Sequence, residues 1–217
     1  LQIEGKIQND YLGVAIVGTI LAVGKNVGFR KIGERAGVYF PNVNRGENVT
    51  GFASHLQVDS SRVLYIPDTI SSEQASALLG DGIAAFNSVE KLPTGSKIAV
   101  LGTNNSAFLT VQFAKKVFNH HVTLLSLNSS EGVAEAFGAD AADVYSLQTV
   151  KKYEEKFDAL IITEVVIPEL AHPLQSLAMR TGKVFFTNHF CYHNTLVFFD
   201  LIVCKVYPIQ VSANSKA

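Results

Sequence analysis

The stretch "IAVLGTNNSAFLTVQFAKK", Ile98–Lys116, decides the fold. Its first four residues are apolar, as in a short buried strand. Gly102, Asn104 and Asn105 then break the run, and apolar residues at helical spacing follow. Strand, tight turn and helix in this order open a dinucleotide-binding βαβ unit, whose turn carries the fingerprint G-x-G-x-x-G. The first glycine makes the turn, the second lets backbone approach a pyrophosphate, and the third lets the helix pack on the strand. Here Gly102 holds the first place, Asn104 the second and Ala107 the third. Alanine is accepted in third place, and asparagine tolerates positive φ, so the turn should keep its shape. The Asn104 side chain is expected to project into the pyrophosphate path. Asn105 and Ser106 are expected to cap the helix N–H groups that would otherwise receive an anion.

Outward from this turn the rhythm is strand, helix, strand. "HVTLLSL", "DVYS", "FDALIIT", "GKVFFTN" and "KVYPIQVSA" read as strands, and "EGVAEAFGA" and "PELAHPLQSLAM" as helices between them. Short apolar strands alternating with helices indicate a parallel sheet covered on both faces, hence an α/β, doubly wound domain. Before Asp68 the pattern is different. "GVAIVGTILAVG", "RAGVYF" and "RVLYIP" are β-rich runs punctuated by glycine. "DTISSEQASALLGDGIAAFNSVEKL" reads as a helix capped by Ser71 or Ser72.

Composition narrows the function classes. The 217 residues are 47% hydrophobic and 17% charged, ample for a core, and the net charge of −1 gives no field toward nucleic acid or an anionic membrane. No apolar run reaches the roughly 20 residues of a membrane helix, and no signal peptide is visible. Cys191 and Cys204 form neither a disulfide framework nor a zinc-finger spacing, which favours a reducing, intracellular compartment.

In the order and spacing of its segments the chain resembles the medium-chain dehydrogenase/reductase superfamily, on its zinc alcohol dehydrogenase side (cinnamyl and yeast alcohol dehydrogenases). "GVAIVGTILAVGKNVGFRKIGERAGVYF" matches that family's G-H-E-x-x-G-x-V run, "VLYIPDTISSEQASALLGDGIAAFNSV" its inter-domain segment, and "LPTGSKIAVLGTNNSAFLTVQFAKK" its entry to the cofactor domain. "FGADAADVY" matches the run after its second cofactor-domain strand. The resemblance implies a partial GroES-like domain over residues 1–68 and a Rossmann-like domain over 69–217. It also implies that the early catalytic domain, with its first zinc cysteine, and the terminal helix are absent.

The chemistry implied by the family is missing at its key positions. A catalytic zinc there uses a Cys, a His-Glu pair and a later Cys. The His-Glu positions are Val14 and Ala15, and the later Cys falls at Gly80. None offers a side-chain electron pair, and Asp81 alone makes no site. "PNVNRGENVTG", Pro41–Gly51, stands in place of the four-cysteine structural-zinc loop. No zinc is therefore expected. A ribose anchor is expected near Ser126, at the end of the second strand of the cofactor domain. A neutral residue there suits NADP, but no Lys or Arg follows until Lys151, and Glu131 would repel a phosphate.

Lesser features have plainer readings. "NHFCYH", with His189, Cys191 and His193, is expected to serve packing or the surface rather than a metal. His120-His121 is expected to cap a helix C-terminus, and "KKYEEK", Lys151–Lys156, to be a solvated helix face.

Two functions remain. The first is a degenerate alcohol dehydrogenase-like protein, without a bound cofactor, acting as a structural or interaction subunit. The second is a zinc-independent, NADP-dependent reductase that transfers hydride to an activated carbon, with Gly102, Asn104, Ala107 and Ser126 around the cofactor. A protein partner, a second copy or another chain, is expected at the edge strand Cys204–Ala213, because an apolar edge leaves unpaired backbone groups.

Overall fold

The computed structural model describes residues 15–39, 54–126, 131–164, 166, 173–187 and 205–208. The chain divides into two compact units between Gly80 and Asp81.

The first unit holds three antiparallel strands in the order β1-β2-β3: β1 (Ala15–Thr19), β2 (Arg35–Tyr39) and β3 (Val63–Tyr65). Gly37 of β2 faces Val17 on one side and Leu64 on the other. A Cβ at Gly37 would collide with Leu79 Cδ1 and sit 2.9 Å from Ile66 Cδ1, so the following helical segment packs into space that only glycine leaves. Helix α1 (Ser72–Ala77) starts at the expected place. Ser71 caps it, and Gln74 returns a bond to the Ser71 N–H, forming a capping box. Arg35 holds this entry by donating to the Pro67 and Ile70 carbonyls, each at 3.0 Å. The single helix expected here is interrupted by a π-helical turn, Leu78–Gly82, before α2 (Ile83–Val89) resumes.

The second unit is a six-stranded parallel sheet in the order β6-β5-β4-β7-β8-β9. Its strands are β4 (Lys97–Leu101), β5 (His121–Ser126), β6 (Ala141–Val144), β7 (Phe157–Ile162), β8 (Ala178–Phe186) and β9 (Lys205–Pro208). Numbered from β4, this is the doubly wound order 3-2-1-4-5-6, and the expected fold class is observed. Burial on both faces follows from the strand period of two. In β4, Ile98 and Val100 join one core with Val111 and Ala114 of α3 (Asn105–Lys116). Ala99 and Leu101 join the other core with Leu160, Ile162 and Leu177. Each large side chain fully withdrawn from water contributes roughly 1.5–3 kcal/mol. Helix α4 (Glu131–Phe137) leads into β6, and α5 (Leu147–Lys152) into β7.

Three local expectations are corrected. The segment read as a helix through Met179 ends earlier, in a 3-10 turn at Gln175–Leu177, and Ala178 already pairs with Phe157 in the sheet. "KKYEEK" is not one helix face: α5 stops at Lys152, and Glu155 has φ 50°. His120 does not cap α3 through its side chain; its backbone N–H does, donating to the Ala114 carbonyl at 2.8 Å. The histidine is fully buried, and His121 begins β5. The expectations placed on Val14, Pro41–Gly51, His189, Cys191 and His193 lie outside the described residues, as do residues 204 and 209–213 of the expected edge strand.

Candidate functional site

In a doubly wound sheet, ligands bind outside the carboxyl ends of the strands where the strand order reverses. Here that point lies between β4 and β7, which pair in register from Ile98↔Ala159 to Leu101↔Ile162. The residues following the two strands, Gly102–Asn104 and Thr163–Glu164, therefore meet.

Gly102 has φ 134°, a conformation that L side chains rarely adopt, and a Cβ there would collide with the Thr163 hydroxyl. That hydroxyl is fixed by donating to the Leu101 carbonyl at 2.8 Å. Asn104 departs from expectation in conformation and in direction. Its φ of −94° and ψ of 176° are extended, as an N-cap requires, so glycine is not needed there for backbone reasons. Its Oδ1 accepts from the Ala107 N–H at 2.9 Å, and its Nδ2 donates to the Thr163 carbonyl at 2.8 Å. The side chain is thus folded into the turn. Asn104 is the cap, and Asn105 is the first helical residue, which corrects the assignment of capping to Asn105 and Ser106. The cap engages Ala107, leaving the N–H groups of Asn105 and Ser106 as the remaining donors of the first turn. Ala107 is fully buried, filling the helix–strand contact that the third fingerprint position serves.

Glu164, which sequence reasoning missed, completes the turn. Its Oε1 accepts from the Thr103 N–H at 2.6 Å and from the Thr103 hydroxyl at 3.3 Å. Two polar residues ending the apolar run "FDALII" were the available signal. They become meaningful only when β7 is known to lie beside β4.

Ser126 ends β5, paired with Val144, and is 1% exposed. Its carbonyl accepts from the Tyr145 N–H at 2.7 Å. The structure brings Gly102, Asn104 and Ala107 together, with Ser126 on the adjoining strand. A pyrophosphate fits this turn poorly, because a carboxylate already occupies the Thr103 N–H.

Within the first unit, the two described positions that would carry zinc-site residues also come together. A Cβ built on Gly80 would lie 3.7 Å from Ala15 Cβ. Alanine and glycine supply no donor atom to a cation, so zinc does not fit these two residues. Asp81 is exposed and stands next in the chain.

No protein-family profile matches the chain. A probable cinnamyl alcohol dehydrogenase of Pinus taeda is 31% identical over 210 residues, covering 79% of this chain and 57% of that protein. The chain thus spans little more than half the length of such curated relatives. Among solved structures, the quinone oxidoreductase of Coxiella burnetii superposes with a TM-score of 0.76 at 15% identity, covering 94% of this chain and 64% of that one. CAD from Helicobacter pylori, complexed with NADP(H), superposes with a TM-score of 0.73 at 19% identity, covering 90% and 66%. These superpositions independently support the two-part fold.

Proposed function

We propose that this chain, which belongs to the medium-chain dehydrogenase/reductase superfamily and is alcohol dehydrogenase-like, is a degenerate member acting as a structural or interaction subunit. The observation that carries the proposal is the closeness of Ala15 and Gly80: two positions where the family places zinc-site residues stand 3.7 Å apart, Cβ to Cβ, and neither side chain can bind zinc. A zinc alcohol dehydrogenase needs the metal to polarise the alcohol oxygen, so that route to hydride transfer is closed at its first step. The Glu164 carboxylate on the fingerprint turn points the same way for the dinucleotide.

An interaction role also has positive support. In the first unit, Leu21, Phe29 and Ile32 of the β1–β2 connection are each more than 60% exposed. Apolar side chains this exposed are available for burial against a partner. Among the described strands, β9 lies at the sheet edge, and Pro208, which cannot donate to a ladder, is its last residue. The proposed contact is pairing along this edge with a second copy or another chain.

Elemental analysis combined with NADP⁺ and NADPH titration tests the proposal. No stoichiometric zinc and no saturable dinucleotide binding are expected. One tightly held zinc per chain, or a micromolar dissociation constant, about −8 kcal/mol, would restore an enzyme.

A second reading, the zinc-independent NADP-dependent reductase, draws on neutral Ser126 and on the Asn105 and Ser106 N–H groups at the head of α3. It expects NADPH oxidation in the presence of an activated alkene or quinone. Absence of turnover together with absence of NADPH binding removes it.

A further inference from the structure

We propose that Glu164 is an internal anion on the Gly102 turn, standing where a dinucleotide phosphate would lie, and that it rather than Asn104 keeps NAD(P) out. This inference rests on the degenerate reading above and names the residue responsible.

Three observations carry it. First, Glu164 lies two residues beyond the end of β7, at the reversal of strand order, inside the crevice that ligands of such sheets enter. Second, its carboxylate takes the Thr103 N–H in a short bond of 2.6 Å, the geometry of a charge-assisted hydrogen bond. Its Cγ and Cδ lie 3.1 and 3.2 Å from the point where a Cβ on Gly102 would stand, so the missing side chain of Gly102 makes room for Glu164. Among the described residues, none of the ion pairs includes Glu164. Third, Asn104 is turned into the turn by its bonds to Ala107 and Thr163 and does not stand in the ligand path.

The test is titration of the full chain with NADP⁺ and NADPH, comparing wild type with Glu164→Gln, Glu164→Ala and Asn104→Gly. The wild type is expected to show no saturation up to about 1 mM. Both Glu164 variants are expected to bind at least tenfold more tightly, and Asn104→Gly no better than wild type. Glu164→Gln keeps the side-chain volume and an acceptor oxygen for Thr103, so it carries the test if the alanine variant melts early. Thermal unfolding of each variant verifies the fold. Folded Glu164 variants that bind no better than a non-binding wild type overturn this inference alone. Restoration by Asn104→Gly alone also overturns it. Micromolar binding by the wild type overturns the degenerate reading itself, and this inference with it.

Discussion

At the scale of single residues, the fingerprint turn keeps its glycine geometry while its neighbours form new contacts. Gly102 still meets the demand that only glycine satisfies, a φ of 134° with Thr163 packed against its α-carbon. Replacing it with alanine forces both backbone strain and a steric clash. Gly102→Ala is expected to destabilise the protein by about 3 kcal/mol. The check is the urea midpoint at unchanged m-value. Gly102 therefore remains under structural constraint whether or not a nucleotide binds. Asn104 shows the reverse case. Its side chain recovers a helix cap and a tie to Thr163, which a glycine could not make.

At the scale of elements, the junction of α2, α3 and β5 centres on His120. Three residues beyond the end of α3, Asn119 sits in the left-handed region, φ 54°, and the chain then turns inward. This places the His120 ring in the interior, with Nε2 3.4 Å from the Val89 carbonyl at the end of α2. The Phe118 ring stacks against it with centroids 6.0 Å apart, and Nδ1 has no partner among the described residues. Burial lowers the His120 pKa below its ordinary value, and the Val89 carbonyl offsets part of that effect. Between about pH 6.5, where an unfolded histidine titrates, and its lower folded value, the unfolded chain binds the extra proton. Stability is therefore expected to fall as pH drops through this window and to level off below the folded value. Urea titrations at stepped pH check this against a His120→Leu variant, in which that part of the slope should vanish. An unchanged slope would assign it to other groups.

At the scale of the whole molecule, the proposal to test is association through the β9 edge. The edge-strand proposal expects a particle larger than one chain. Sedimentation should show this, and a charged substitution at Ile209, beyond β9, should reduce the mass to that of a monomer. A monomeric wild type, or association unchanged by the substitution, would remove this edge as the contact. Among the described residues no helix is long and apolar enough to cross a membrane.

The order of elements was legible in the sequence because it rests on local, periodic properties. Short continuous apolar runs marked β4 and β7, and a serine at 71 or 72 marked the start of α1. The identities of Ala15, Gly80 and Asn104 were equally legible, since a donor atom is a property of one residue. Tertiary structure alone decided what meets the Gly102 turn. Glu164 stands 61 positions after Thr103, and only the crossover that lays β7 beside β4 brings its carboxylate to that N–H. The burial of the His120 ring against the end of α2 was illegible for the same reason: hydrophobic period reports which side of an element is apolar, whereas the neighbour that covers a junction is chosen by packing between elements distant in the chain.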